Sequence, residues 1–515
     1  MLGKNDGQID IFNQMIFERL IPKNHLLLKI DALIDFSFIY DIVKDYYSEI
    51  GRESYDPVIL FKLCLLEYLY VLSDRQVVER ATTDISFRWF LKLTIEDKVP
   101  DDTTISHFRS KRLGNKPFEE FFNAIVQKCI DSDIVKTHRY IVDSTDVQAN
   151  VNYPSEKKLL CNAYRRLIRE LERYNNNFAL KKLNEFENEI ALEYEKADKV
   201  SIKTYCQIAK KHAEEIYLQC YSEFSNKEKV YDMFVTLWCI IEKYGESKNS
   251  KDKIISCIDP DSRVAHKTKG KLKTGYKNHI IIDEESEIIL ASEQTPFNIN
   301  DEKKLVDLVE KVEKSYNIKP EELSADKAYG TIDNRAYLKD NNIISNINFY
   351  DNSDKEYKKF DISKFTVAED LKSATCPNNC YTEDVKLNRN KKELIIKFSQ
   401  IDCFNCELRS QCFSESDLKK GIKRRRISLN VRYDAVVRDL KRLEDDAAKI
   451  ALNKRCIVER RFATMVRNHG LRRCRYLRLK GAAIHITLCN MVSNIVRMVK
   501  LLTDKHHSSF AIPKI

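Results

Sequence analysis

Glycine and proline are scarce in this sequence. Among its 515 residues there are only 11 glycines and 10 prolines. This shortage excludes a collagen-like or loop-rich protein and favours long helices with few tight turns. Hydrophobic residues make up 43% of the chain, which is typical of a globular protein. The length predicts about two to four domains, or one core with large insertions.

Long hydrophobic runs are also missing. The most apolar early stretch, Ile59 to Leu72, is interrupted by Lys62 and Glu67, so it is too short and too polar to span a membrane. The first residues, MLGKNDGQIDIF, contain no apolar segment of the kind that follows the basic start of a secretory signal. No GxxxxGK[ST] loop is present, so phosphate cradling of the ATPase type is not expected. We therefore expect a soluble, intracellular protein without a membrane partner.

The spacing of apolar residues predicts an α+β or mixed α/β fold built from several segments. Strand patterns occur at Tyr140–Asp143, in a hairpin at 279–290, and at Leu323–Asp326. The predicted segments are a helical N-terminal domain at 1–135, a core at 136–154 and 251–349, a helical insertion at 155–250, a Cys-rich insertion at 350–425, helices that complete the core at 426–505, and a tail at 506–515. The insertion at 155–250 reads as two or more helices, as in a hairpin or coiled pair.

Positive charge is concentrated near the end of the chain. Residues 421–480 carry 19 Lys and Arg against six acids, a surplus of 13, whereas the whole chain has a net charge of +10. A surplus of this size indicates a polyanion such as DNA, although a solvated helix face is the plain alternative. A second basic helix, with Arg109 and Arg112, either enters a DNA major groove or simply packs with its charges in solvent.

Five of the 15 cysteines lie between residues 376 and 412. In an intracellular chain such a cluster indicates a metal site before it indicates disulfides. Cys403 and Cys406 form a CxxC pair, Cys412 follows, and Cys376 or Cys380 lies upstream. Four thiolates in a tetrahedral array suit structural Zn²⁺, and free loop thiols are the alternative.

Three acids stand out by their position. Asp143 and Asp326 each end a predicted strand, and Glu459 lies in a basic helix between Arg455 and Arg460. Asp146 is a rival for the first position, but it is predicted to lie in the turn beyond the strand. Carboxylates gathered at strand ends suit Mg²⁺, and two such ions can hold the attacking and leaving oxygens of a phosphoryl transfer. Taken alone, Glu459 could instead only balance its cationic neighbours.

Ordered motifs extend this pattern over nearly the whole chain. They are Tyr55-Asp56-Pro57 through Phe108-Arg109, Asp143-Ser144-Thr145, Gly275-Tyr276 through Asp283, Asn300-Asp301, Ala325 through Gly330, and Glu459 with Phe462, Asn468, Gly470, Arg473, Tyr476, Gly481 and Asn490. Together they resemble the DDE transposases of bacterial insertion sequences, and specifically the group numbered eleven-eighty-two.

The resemblance implies a ribonuclease-H-like core and a DNA transposase that cleaves the terminal inverted repeats of a mobile element and joins them to target DNA. Asp143, Asp326 and Glu459 would bind Mg²⁺ or Mn²⁺. The family's cysteine ribbon, a structural zinc site, matches Cys376, Cys403, Cys406 and Cys412, with Cys380 as a further candidate. The implied partner is double-stranded DNA, bound by a homodimer in the cytoplasm at the nucleoid. A nuclease that cuts without joining, and a DNA-binding relic without activity, remain open alternatives.

The last helix departs from the family pattern. Related enzymes place a Tyr, an Arg, the catalytic Glu and a Lys along it. Here Arg455 and Glu459 fit, but Leu452 occupies the Tyr position and Val466 the Lys position. We expect Arg467 to substitute for the Lys in binding DNA. Arg455, Arg473 and Lys480 are the other expected DNA contacts of this region.

Overall fold

The architecture comes from a computed structural model of the chain. It describes residues 1–5, 9–196, 200–224, 227–245, 252–268, 271–349, 360, 364–388, 392–414, 417 and 419–505. Helices dominate, as the shortage of glycine and proline predicts, and they surround a mixed β-sheet. The predicted tail at 506–515 lies outside the described residues.

The N-terminal region is entirely helical. Its α-helices are α1 (Ile11–Leu20), α2 (Leu26–Leu33), α3 (Phe38–Val43), α4 (Pro57–Leu69), α5 (Asp74–Thr83), α6 (Ile85–Leu91), α7 (Asp102–His107) and α8 (Asn115–Asp131), with a 3₁₀ turn at Lys44–Tyr46 and a π-helical turn at Phe108–Leu113. The sequence specifies several starts directly. Pro57 occupies the first turn of α4, Ser73 forms a capping box with Gln76, and Asp84 accepts hydrogen bonds from the first amides of α6.

The central sheet has six strands: β1 (Arg139–Gln148), β2 (Arg263–Thr268), β3 (Lys271–Asp283), β4 (Ile289–Pro296), β5 (Glu322–Ala325) and β6 (Ile344–Ile347). β3 pairs antiparallel with β1, β2 and β4, whereas β1, β5 and β6 are parallel. The helices α13 (Leu305–Tyr316) and α14 (Ile332–Asp340) connect its second half. The predicted hairpin is therefore present, because β3 and β4 are joined by a tight turn capped by Asp283.

The prediction that the first strand ends at Asp143 is wrong. β1 continues to Gln148, because the pairing with β3 is unbroken from Tyr140 to Gln148. The parallel pairing of β1 with β5 does end just before Asp143, because its last pair is Val142 with Ala325. Asp143 and Asp326 therefore each follow the last residue of the same paired stretch.

The insertion after β1 consists of four helices. They are α9 (Glu156–Leu171), α10 (Asn176–Lys196), α11 (Ile202–Phe224) and α12 (Glu228–Gly245). They enclose a hydrophobic core of their own, which contains Leu167, Phe186 and Leu237. A separate core means that this is a small helical bundle and not a simple helix pair.

The described part of the cysteine-bearing segment contains two small antiparallel sheets. One is formed by β7 (Thr366–Val367), β8 (Ala374–Thr375) and β9 (Tyr381–Thr382), the other by β10 (Val385–Asn388), β11 (Glu393–Lys397) and β12 (Arg426–Asn430). The short helices α15 (Gln400–Phe404) and α16 (Arg409–Cys412) lie between β11 and β12. We call the described part of residues 360–430 the cysteine module; it has its own small core around Phe398 and Ile427.

Four helices complete the chain: α17 (Tyr433–Glu444), α18 (Asp446–Lys454), α19 (Cys456–Asn468) and α20 (Arg478–Lys505). Within the described residues, α20 is the one helix long and apolar enough to cross a membrane, but 89% of its most apolar window is buried inside the protein. It packs against α8, α4, α2 and β4. One continuous core therefore joins the N-terminal helices, the sheet and the last helices.

Candidate active site

Asp143 and Asp326 lie side by side at one edge of the parallel pairing. Neighbouring strands are roughly 5 Å apart, so two acids that follow the same paired residues lie close together. Each carboxylate accepts a hydrogen bond from the backbone N–H of the next residue. Ser144 N–H donates to Asp143 Oδ1 at 2.8 Å, and Lys327 N–H donates to Asp326 Oδ1 at 2.8 Å. The second oxygen of Asp143 faces Arg455.

Arg455 connects the third acid to this pair. Its Nη1 donates to Asp143 Oδ2 at 3.2 Å, and its Nη2 lies 3.8 Å from Glu459 Oε1. Arg455 stands at the junction of α18 and α19, and Glu459 follows one turn later, so both side chains share a helix face. Arg455 thus links Glu459 to Asp143, which lies beside Asp326, although the three acids come from separate parts of the sequence.

The environment of Asp143 disfavours its negative charge. Its side chain is only 18% exposed. Burial raises the pKa of Asp143 to about 6, and the nearby carboxylates of Asp326 and Asp301 add to the rise, although the Ser144 amide and Arg455 oppose it. A site that gathers carboxylates at this electrostatic cost has a place for a bound cation.

Asp146 does not compete for the site. It lies within β1 and not in a turn, so the predicted position was wrong, but its exclusion holds for another reason. Because the pairing with β3 is unbroken, residues three positions apart leave opposite faces of the strand. Asp146 is buried and approaches Lys273 Nζ at 3.5 Å.

Asp301 is a neighbour of the site that the sequence indicated only as part of a helix start. Lys277 Nζ binds its Oδ1 at 2.7 Å, and the buried His279 lies 3.9 Å from the same oxygen. Burial lowers the pKa of His279 to about 4, so this ring is neutral. The fully buried Tyr329 adjoins the same group of acids. The Asn300-Asp301 motif is the sequence signal that could have identified Asp301. The motif alone does not show that Asp301 lies near Asp143, because the two residues are far apart in sequence.

The prediction that Arg109 contacts DNA is wrong. Its side chain is 4% exposed and is bound to Glu67 at 3.3 Å and Asp74 at 2.6 Å, with the ring of Tyr476 over its guanidinium at 4.4 Å. Three groups from the protein already satisfy this cation, so it fastens the N-terminal helices to the end of the chain. Arg112 is exposed and stacks on Tyr47.

The other expected DNA contacts remain accessible. Arg467, Arg473 and Lys480 are exposed, and backbone hydrogen bonds tie residues 472–474 to Gln148 at the end of β1. Val466 packs against the main core, so the position of the family's Lys is turned partly inward here. Arg467, one residue further round the helix, is the cation that reaches solvent.

Much of the positive charge in 421–480 is neutralised within the protein, which corrects the interpretation of the whole segment as a polyanion surface. The acids come from other parts of the chain as well as from the segment itself. The ion pairs are Arg432–Asp340, Lys441–Glu369, Arg442–Glu322, Lys454–Glu284, Arg455–Asp143, Arg460–Glu287 and Arg478–Asp232. The net charge of a segment therefore overstated the charge that it offers to a partner.

The five clustered cysteines line one cavity of the cysteine module. Burial, together with the neighbouring Cys376 and Cys406, raises the pKa of Cys380 and of Cys403 to about 11. Cys412 is buried in the module's core. Among the described residues, the one group of three or more metal-type ligand atoms within 4.8 Å of one another is instead Glu185, His212 and Glu215 in the helical bundle.

Comparison with known proteins identifies the family. Residues 15–111 match the family Transposase domain (DUF772), and residues 250–495 match Transposase DDE domain, which spans β3, β5 and α19. A relative from Rhizobium meliloti, described as uncharacterized protein ORF8 in nfe locus, is 22% identical over 175 residues, which is 33% of this chain and 84% of that protein. No solved structure matches the chain. With both transposase domains present, and with acids from β1, the end of β5 and α19 gathered at one site, this chain belongs to the DDE transposases of insertion-sequence type and is a metal-dependent DNA transposase.

Proposed function

We propose that Asp143, Asp326 and Glu459 form the catalytic site with which this transposase cleaves the ends of its mobile element and joins them to target DNA. The observation that carries the proposal is the convergence of the three acids, two at equivalent positions of paired parallel strands and the third joined to Asp143 through Arg455. The strand order, with β3 between β4 and β1 and parallel strands beyond β1, supports a ribonuclease-H-like core.

The residues present fit Mg²⁺ or Mn²⁺. All three candidate ligands are hard carboxylate oxygens, and the pKa of Asp143 is raised to about 6 partly because another acid of the set lies beside it. When bound, the divalent ions would neutralise charge on the reacting phosphate and lower the pKa of the attacking water or 3′-hydroxyl. Arg455 holds the carboxylates of Asp143 and Glu459 in mutual reach without the metal. It therefore acts as a positioning residue that prepares the ligand set.

A structural zinc site in the cysteine module is a second part of the proposal. Cys376, Cys403, Cys406 and Cys412 fit it, with Cys380 as a further candidate, because all five thiols line one cavity. Zinc binding would remove the protons that burial favours on these thiols, and it would stabilise the module by linking its two halves.

The DNA-binding role is proposed for the exposed cations that adjoin the end of β1 and the last helices. Arg467, Arg473 and Lys480 are accessible there, and Arg112 is accessible on the N-terminal helices. We propose that a homodimer pairs the terminal inverted repeats, since one site per chain serves one end. Membership of the eleven-eighty-two group and action in the cytoplasm at the nucleoid belong to the same proposal.

The test is a cleavage and strand-transfer assay with labelled element ends and Mg²⁺. Asp143→Asn, Asp326→Asn and Glu459→Gln should each abolish cleavage and leave DNA binding nearly intact, because each removes a metal ligand and not a phosphate contact. Asp146→Asn is the matched control and should keep activity. Metal-dependent cutting by Asp326→Asn would refute the site.

The same assay separates the alternatives. Cut but unjoined ends from the wild-type protein would support a nuclease without strand transfer. DNA binding with neither product, at any Mg²⁺ or Mn²⁺ concentration, would support an inactive relic.

A further inference from the structure

The cysteine module carries a charged loop that the active site does not use. Residues 419–426, which we call the basic loop, contain six cations and no acid: Lys419, Lys420, Lys423, Arg424, Arg425 and Arg426. The chain reverses at Gly421, whose φ of +68° favours glycine. The turn is closed by a hydrogen bond from Ile422 N–H to the carbonyl of Asp417 at 3.1 Å.

The base of the basic loop is anchored. Arg425 is 8% exposed, and its Nη2 donates to the carbonyl of Phe360 at 2.9 Å. Its backbone N–H donates to Cys403 Sγ at 3.4 Å, and its carbonyl accepts from the Phe398 N–H at 3.1 Å. These contacts hold the loop in one position on the module core.

The tip of the basic loop is different, because most of its charges form no ion pair within the described part of the chain. Lys419, Lys420, Lys423 and Arg426 are exposed there and form no ion pair, and Arg424 has a single half-exposed pair with Asp384 at 3.5 Å. The cations of α17, α18 and α19 are, in contrast, mostly paired. Like charges crowded together without counter-charges favour an external polyanion.

Large apolar side chains stand beside these cations. Ile401 and Phe404 on α15 are 73% and 72% exposed, and Ile422 in the loop is 39% exposed. All three line one open cleft together with Arg409 and Lys423. Cations that flank exposed apolar side chains are the combination with which proteins bind phosphates and press an apolar wedge against the DNA minor groove.

We propose that the basic loop, with Ile401, Phe404 and Ile422, is a second DNA-contacting surface of this transposase. The lysines would bind phosphates of a duplex, and Phe404 and the two isoleucines would pack against the sugars and base edges of its minor groove. The inference rests on the proposed function and extends it to a surface outside the catalytic sheet. Since phosphate contacts carry no sequence information, this surface should bind element ends and unrelated duplexes with equal affinity.

The first experiment removes charge. Full-length Lys419→Ala/Lys420→Ala/Lys423→Ala is compared with Lys364→Ala/Lys372→Ala/Lys386→Ala, which removes three exposed lysines of the same module. Binding is measured over a salt series on an element-end duplex and a random-sequence duplex. The loop variant should lower the slope of log K against log[salt] by about 3 and weaken binding roughly tenfold or more on both duplexes. The control should change neither quantity; equal effects of the two variants would overturn the proposal.

The second experiment tests the wedge. Phe404→Ala should weaken binding with an unchanged salt slope, whereas Leu387→Ala, which removes another exposed apolar side chain of the module, should have no effect. Equal affinities for Phe404→Ala and wild type would remove the wedge from the proposal. Wild-type binding that is salt-dependent but unaffected by every loop change would refute this surface and leave the proposed function standing. A wild-type chain that binds neither duplex would refute the proposed function itself.

Discussion

Replacing Asp143 with asparagine should destroy cleavage and yet stabilise the metal-free protein. The pKa of Asp143 is about 6 in the folded chain against 3.8 as the ordinary value, because burial and the adjacent acids disfavour the charge. The folded state therefore binds this proton more tightly than the unfolded state. Between these two pKa values the free energy of unfolding falls as pH rises, and the loss is complete above pH 6.

The size of the effect follows from the pKa difference. At about 1.4 kcal/mol per pKa unit, the ionised carboxylate costs roughly 3 kcal/mol at pH 7.5 and only about 1 kcal/mol at pH 4.5. Asparagine has nearly the same shape and no charge, so Asp143→Asn should recover most of this free energy at the higher pH.

Thermal and urea unfolding in EDTA, at pH 4.5 and 7.5, measure the difference. Asp446→Asn is the control, because that carboxylate is 90% exposed and its removal should change stability little at either pH. Added Mg²⁺ should stabilise the wild-type protein and not the Asp143→Asn variant, which reverses their order. A variant that is less stable than wild type at pH 7.5 in EDTA would refute the electrostatic reasoning.

Three further outcomes are expected. Arg109→Ala should cost about 1–3 kcal/mol of stability, since it removes the cation shared by the buried Glu67 and by Asp74. It should not change the salt dependence of DNA binding, and unchanged unfolding midpoints would refute its structural role. Purified protein should contain about one zinc per chain, which Cys403→Ser combined with Cys406→Ser should remove with a loss of stability; elemental analysis that finds no zinc in soluble, active protein would refute the zinc site. Arg467→Ala should reduce cleavage of element ends clearly more than Lys449→Ala, whose charge is paired on the surface with Asp446, and equal small effects would leave the Lys role unfilled.

The positions of Asp143 and Asp326 at the end of the paired strands could be predicted because their signals are local. An apolar strand that leads into an acid can be recognised within four residues, as at Tyr140–Asp143 and Leu323–Asp326. The same is true of helix starts, since the caps at Ser73 and Asp84 involve neighbours in sequence. The strand length beyond Asp143 was missed because the partner of that polar stretch, β3, lies more than 100 residues away.

The errors concern groups whose partners are distant. Arg109 looked like a solvated cation because Glu67 and Asp74 are more than 30 residues away in sequence. The buried Arg461, bound to Ser493, looked like one more surface charge for the same reason. Local sequence patterns thus indicated the candidate acids and cations, whereas contacts between distant residues determined which cations remain exposed to a partner.

The continuous core described above has a consequence for how the enzyme is made. Helix α20 lies at the end of the chain, and it packs against α2, α4 and α8 at the beginning. Helices α2, α4 and α8 therefore lack a large part of their apolar packing until α20 has been synthesised. Within the described residues, the helical bundle and the cysteine module have cores of their own and can fold before it. A chain that stops between α19 and α20 would contain Asp143, Asp326 and Glu459 but would yield no small DNA-cutting fragment, because the core that supports the sheet and α19 is completed by α20.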